Sequence, residues 1–304
     1  MIAPGPSGLA PCGTCGDRVP RGDLTDDGDC GTCDDARLED RIERKGLVYG
    51  MPEDEYHGGP ELSSTGMKRI LDAPALYLHD RTHRTHKAAF DLGHVVHGMV
   101  LGDGLDVVRI DAESWRTKAA QTERDEARAE GKVAVLASEW AQARAMADAV
   151  LTHPTARDLF DADADAEVSA FYDIDGVPVR CRFDLLHRDL STIVDLKTSA
   201  TSDPRALARR FADFDYPLQA WLYLDALHAL TGAAGRFLHV VVSSTAPHLV
   251  TVVELDRDAL AIGEAKAHAA LTEYREAVDT GVWRGYATGV VPLRMPRWYG
   301  ADLN

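Results

Sequence analysis

The sequence predicts a mixed α/β protein, a central sheet flanked by helices, preceded by a small cysteine-bearing module. Three observations carry that expectation. Residues 167–174 (EVSAFYDI) and 177–187 (VPVRCRFDLLH) alternate in polarity on either side of Asp175-Gly176, the pattern of an antiparallel hairpin. A helical stretch at 215–231 separates a further strand at 191–199 from a strand pair at 236–244 and 248–255. Four of the five cysteines fall within the first 33 residues.

Taken in order, the first element is that cysteine cluster. Cys12, Cys15, Cys30 and Cys33 form two CGTC pairs separated by fourteen residues. Two C-x-x-C turns can supply four thiolates to one tetrahedral zinc, and a site closed by four protein ligands is structural. Disulfides are the alternative, disfavoured where thiols stay reduced. Residues 34–60 are polar and read as a helix and a linker, giving a module at 1–50 and a main domain at 60–304. Ser63 or Ser64 can cap a helix carrying Met67, Ile70 and Leu71, and Pro74 can open the next. Residues 87–101 read as an apolar helix ended by Gly102, and 106–110 as a short strand. Residues 115–153 are Ala-rich and charged and read as two helices. The three strands, the helix and the strand pair follow, with a long helix at 256–280. Cys181, alone in an alternating stretch, reads as a core residue.

Composition narrows the function. The 304 residues hold 33 Lys and Arg against 49 Asp and Glu, a formal charge of −16. Such a chain does not grip nucleic acid by overall charge, so any DNA contact must be local. Residues 61–101 depart from the acidic average, with 5 basic and 4 acidic side chains and five histidines. Ser63 and Ser64, at a helix start suited to phosphate, and Lys68, Arg81 and Arg84 are the candidate DNA contacts. No apolar run is long enough to span a membrane and the N-terminus lacks the pattern of a secretion signal, so a cytoplasmic protein is expected.

The chemistry gathers in RCRFDLLHRDLSTIVDLKT. Asp195 and Lys197 share one face of a strand, and Asp184 sits on the strand before it. Carboxylates converging this way need a cation between them, and oxygen ligands with retained water suit magnesium or manganese. A lysine two residues on can orient a metal-activated water. A surface ion pair between Asp195 and Lys197 is the plain alternative, but IVDLK lies in apolar sequence, where an unpaired charge is costly. His94 and His97 form H-x-x-H on one helix, without the Glu and the i, i+4 spacing of a zinc hydrolase.

These residues resemble the PD-(D/E)XK nuclease superfamily. Gly93 and His97 in DLGHVVHGMVL, and Gln219 and Tyr223 in YPLQAWLYLDAL, are similar to two helical motifs of its RecB-like branch. LSSTGMKRILDAPALYLHD and EVSAFYDIDGVPVRCRFDLL resemble blocks of RecE-type phage exonucleases. The resemblance covers about residues 61–245. It implies a restriction-endonuclease-like core. His97, Asp184, Asp195 and the Leu196 carbonyl would hold magnesium or manganese, and Lys197 would act on the attacking water. Gln219 and Tyr223 would orient the lysine or touch the DNA backbone, with Glu167 and Arg182 in support. It further implies an exonuclease resecting linear double-stranded DNA, 5′ to 3′, in a phage or prophage setting. A single-strand annealing protein would be its partner, with the oligomeric state open. A RecB-like single-strand nuclease, and a non-catalytic zinc-dependent DNA-binding or assembly protein, are the alternatives.

Overall fold

The computed structural model describes residues 44–83, 92–102, 107–296 and 299, and the backbone of two short paired strands, β1 (Leu9–Pro11) and β2 (Arg18–Pro20). The four clustered cysteines, Arg84 and Lys87 lie outside the described residues. The elements that follow are β3 (Gly46–Val48), α1 (Glu53–Gly58), β4 (Leu62–Ser63), α2 (Ser64–Asp72), α3 (Pro74–Thr82) and α4 (Leu92–Leu101). Then come β5 (Val107–Ile110), α5 (Lys118–Ala129), β6 (Val133–Leu136), α6 (Ala137–Thr152) and α7 (Pro154–Phe160). The chain continues through β7 (Ala164–Ile174), β8 (Val177–His187), β9 (Thr192–Ser199), α8 (Pro204–Asp213) and α9 (Tyr216–Thr231). It closes with β10 (Arg236–Ser243), β11 (Val250–Glu254) and α10 (Arg257–Thr280).

The central sheet runs in the order β11-β10-β9-β8-β7-β3, with β4 pairing β8. It is mixed: β9–β10 and β4–β8 are parallel, the remaining pairs antiparallel. The expected hairpin forms β7 and β8. Asp175 and Gly176 both take positive φ, as a tight two-residue turn requires, and Asp173 Oδ1 accepts from the Gly176 N–H at 2.7 Å. One face of the sheet packs Val168, Phe183 and Ile193 against α2, α9 and α10 through Met67, Leu222 and Leu271. The other packs Leu185, Val194, Leu196 and Val240 against α4, α6 and α7 through Val96, Met146 and Ala156. The predicted alternation is thus a sheet buried on both faces. At the helix crossing, a methyl on Gly263 of α10 would overlap the Pro217 carbonyl of α9, so only glycine permits that approach. Among the described residues no helix is long and apolar enough to cross a membrane.

Two expectations are corrected. The 115–153 segment holds not two helices alone but α5 and α6 with β6 between them, paired in parallel to β5. VAVL is too short for its period to stand out between Ala-rich helices. The stretch read as a linker ahead of residue 60 belongs to the core. β3 pairs with β7, Tyr56 is buried, and Arg180 Nη1 bonds the Gly59 carbonyl. Arg182 Nη2 donates to the Met51 carbonyl at 2.9 Å, and its guanidinium lies 4.3 Å from the centre of the Tyr56 ring. A chain beginning at Arg44 should therefore keep the stability of the full protein, whereas one beginning at Pro60 loses a strand and a buried tyrosine. Burial of that one side chain is worth about 2 kcal/mol, or a drop of roughly 4–8 °C in Tm at this size. Thermal melts of the two truncations check this.

Candidate functional site

The site is built where two strands part. β8 and β9 pair only at Leu185↔Val194 and Leu186↔Ile193. Beyond that point β9 keeps β10 on one side, and its other edge loses its ladder partner. The backbone groups of Leu196 face that opened edge, and buried peptide groups must find partners. The Leu196 N–H donates to Asp184 Oδ2 at 2.8 Å, and its carbonyl accepts from His97 Nε2 at 2.6 Å. His97 Nδ1 lies 3.6 Å from the same Asp184 oxygen. The backbone of one residue of β9 thus ties Asp184 of β8 to His97 of α4.

Asp195 and Lys197 project from the opposite face of β9 to Leu196. The Asp195 side chain is 1% exposed and that of Lys197 20%, with Nζ 2.7 Å from the carboxylate, so this is a buried pair and not a surface one. Gln219 Nε2 donates to Asp195 Oδ1 at 2.8 Å. Gln219 therefore orients the carboxylate, where the sequence led one to expect the lysine. Tyr223, one turn on, is buried between Phe183 and Phe237, and burial pushes its phenol up. Tyr216 is flanked by Lys68 at 5.4 Å and Lys197 at 5.3 Å.

The charges divide by environment. Burial works to raise the Asp195 carboxyl, but the Lys197 ammonium together with His239 and His97 outweighs it and holds the group below the usual 3.8. Asp184 goes the other way: burial raises it, and the Asp195 charge adds to that against the opposing pull of His97. Lys197 is raised, since its two aspartates outweigh burial. Lys68 is pushed down to about 8, first by burial and then by Lys197.

Asp184, His97 and Lys197 open on a cavity of about 770 Å³, whose rim carries Ser63 and Ser64 at the start of α2. Glu167 joins them. Ligand atoms of His97, Glu167 and Asp184 all lie within 4.8 Å of one another. Glu167 sits in β7 between Ala166 and Val168, which pair with Leu185 and Phe183, and so falls opposite Asp184. Its φ is +52°, a left-handed conformation in mid-strand. Such backbone costs about 1–3 kcal/mol in a non-glycine residue and collects at functional sites. Asp195 is outside this cluster, turned toward Lys197 and Gln219.

The candidate DNA contacts are divided. Ser64 is buried at the cavity rim, and Ser63 Oγ is spent capping Gly66 N at 3.2 Å. Arg81 Nη1 donates to the Pro60 carbonyl at 3.0 Å, and Arg182 holds Ser169, Met51 and Glu167, so both are braces within the fold. Lys68 is half-buried on Tyr216. His94 is exposed at the cavity mouth.

Residues 63–291 match the family described as a PDDEXK-like domain of unknown function (DUF3799). The chain belongs to this family. Among solved structures this PDDEXK-like domain is similar to a candidate exonuclease from Eubacterium rectale, with TM-score 0.56 and 11% identity over 81% of this chain and 97% of that one. That likeness is one of fold. Weaker ones are to SSO0001 (TM-score 0.27, 13% identity, 59% and 84% of the two chains) and to VC1899 from Vibrio cholerae (0.22, 12%, 77% and 58%). No curated protein matches the sequence. The donor set of the PDDEXK-like domain fits a hard divalent cation. It combines two carboxylates and an imidazole, with the Leu196 carbonyl beside His97. The Asp184 carboxyl, raised by burial and then by the Asp195 charge, would be drawn back to its charged form by a cation.

Sequence reading undervalued Glu167, because its place opposite Asp184 depends on the register of β7 on β8. It missed His239, buried on β10 beside Asp195, whose only mark is one polar residue inside the apolar run FLHVVV. The Asp195–Lys197 pair sets a pH window. Asp195, held low, contributes stability that is present above the unfolded value of 3.8 and lost as pH falls through the folded one. Lys197, held high, contributes below 10.5 and loses it as pH rises through its folded value. Lys197→Met should cost up to about 3–5 kcal/mol at neutral pH by stranding a buried charge. Urea unfolding across pH should show that gap narrowing below 3.8 and above 10.5.

Proposed function

We propose that the chain is a divalent-metal-dependent deoxyribonuclease that degrades linear double-stranded DNA from its ends, with 5′ to 3′ polarity. The observation that carries the reading is the convergence of His97, Asp184 and the Leu196 peptide on the opened edge of β9, with the buried Asp195–Lys197 pair on its other face. Membership of a PDDEXK-like family supports it.

His97, Glu167 and Asp184, with the Leu196 carbonyl, would hold magnesium or manganese, and Asp195, outside that cluster but beside Leu196 in sequence, would be a further ligand. The ion, when bound, lowers the pKa of a coordinated water and stabilises charge on the scissile phosphate. Lys197 opens on the same cavity, its ammonium kept charged by two aspartates, and serves to position the attacking water or meet charge on the phosphoryl oxygens. Gln219 holds Asp195 in plane, and Tyr223 walls the cavity. Ser64 and the first N–H groups of α2 offer donors to a DNA phosphate at the rim. The resemblance to RecE-type enzymes supports a place in phage-type recombination beside a single-strand annealing protein. The two C-x-x-C pairs support a separate N-terminal zinc module, since the resemblance begins only after them. In sequence the first pair falls between the paired strands β1 and β2.

A digest of linear and covalently closed plasmid, with Mg²⁺ and with chelator, tests the reading. The linear form should be consumed and the closed form spared, and 5′- and 3′-labelled duplexes give the polarity. Asp195→Asn and Lys197→Gln, folded by circular dichroism, should each lose on the order of 10²–10³ in rate or more. Near-normal digestion by both variants overturns the assignment, and preference for single strands moves it to the RecB-like alternative. Elemental analysis of the full chain should return one zinc atom, lost on replacing Cys12 and Cys15 with serine. A zinc-free folded protein removes the module.

A further inference from the structure

Asp195 is hydrogen-bonded on one oxygen only. Oδ1 accepts from Lys197 Nζ and Gln219 Nε2, at 2.7 and 2.8 Å. Oδ2 is buried and touched by the same ammonium, but no hydrogen bond aligned with its lone pairs reaches it among the described residues. In the parallel register of β9 and β10 the residue beside Asp195 is His239, on the same face of the sheet. His239 is 0% exposed. Its ring is caged by Phe211 at 4.7 Å, Phe237 at 4.8 Å and Tyr216 at 5.8 Å. Neither of its nitrogens has a partner among the described residues.

A neutral imidazole carries one N–H donor and one acceptor, and burying both unpaired is unfavourable. The cage is aromatic and the rest of the strand interior apolar, so a phenylalanine would fill the space without that penalty. A buried donor without an acceptor thus sits in register beside a buried carboxylate oxygen that meets only an off-axis ammonium, 2.7 Å away. We propose that His239 is a positioning residue for Asp195. Its ring N–H, directly or through one buried water, supplies the donor for Oδ2 and completes a three-point hold with Lys197 and Gln219. A carboxylate held at both oxygens keeps its plane, and groups that orient a ligand in this way tune the affinity of the centre. The link to metal binding rests on the reading given under Proposed function; the hydrogen bond does not.

The experiment uses the full chain with His239→Phe, which fits the aromatic cage, and His239→Gln, which keeps an N–H donor. Mn²⁺ binding is measured by calorimetry and folding by thermal melting. The phenylalanine variant should remain folded and bind Mn²⁺ ~10–100-fold more weakly, the usual cost of losing a group that orients a ligand. The glutamine variant should recover most of that loss. Unchanged Mn²⁺ affinity in folded His239→Phe overturns the proposal, since a mere cage-filler predicts it. Histidine-selective ¹⁵N NMR of the metal-free protein gives a readout independent of the variants' folding and of metal. A slowly exchanging ring N–H should be present and should shift in Asp195→Asn. A freely exchanging or unresponsive signal overturns the proposal. Failure of the wild-type protein to bind Mn²⁺ would count against the nuclease reading alone, because the N–H signal decides the His239–Asp195 bond by itself.

Discussion

The parting of β8 from β9 after two paired residues is the constraint on which the rest depends. A central strand buried on both faces cannot leave a peptide group unpaired. Where the ladder stops, the Leu196 N–H and carbonyl must be met by side chains, and the two that meet them are Asp184 and His97. The same residue anchors the packing behind them: Leu196 is 1% exposed, in one cluster with Val95 and Val96 of α4. The apolar face of α4 and the histidine it carries are therefore fixed by one strand position. Restoring the ladder would satisfy Leu196 by backbone alone and leave Asp184 and His97 without that shared peptide.

Electrostatics explains why a site so costly can persist. Asp195 and Lys197 offset each other in the interior, a pair whose net worth against apolar replacements is close to zero but whose members cannot be removed singly without penalty. Asp184 and Glu167 are arranged differently: His97 lies 3.6 Å from Asp184, and Arg182 lies 3.8 Å from Glu167. Burial, and after it the Asp195 charge, raise the Asp184 carboxyl, while Glu167 beside it holds a left-handed backbone conformation. A divalent cation at these two carboxylates would favour their charged forms.

The parts of this legible in sequence are those with local signatures. The Asp175-Gly176 turn fixes the β7–β8 hairpin, the spacing of Asp195 and Lys197 fixes a shared face, and Gln219 and Tyr223 lie one turn apart on α9. What escaped depends on pairings between distant segments. His239 acquires meaning only through the register of β10 on β9, and Glu167 only through the register that sets it opposite Asp184. The basic residues escaped for another reason. In sequence Arg81 looks available to phosphate, and Arg182 reads only as support to the site. In the fold they are braces, because the segment from Met51 to Glu61 crosses the sheet edge with carbonyls that no strand satisfies.

That use of arginine bears on how an acidic protein would hold DNA. The formal charge is −16, and among the described residues the cavity arginines Arg180 and Arg182 are bonded to backbone carbonyls. Lys68 and Lys197 are themselves stacked on Tyr216 and depress or balance one another. Affinity built from many lysines would be lost steeply with salt. On the proposed nuclease reading, positive potential would come instead from the start of α2 and from a cation held by His97, Glu167 and Asp184, both at the cavity. Binding and chemistry would then share one source of charge, and DNA affinity would depend on the cation as the chemistry does.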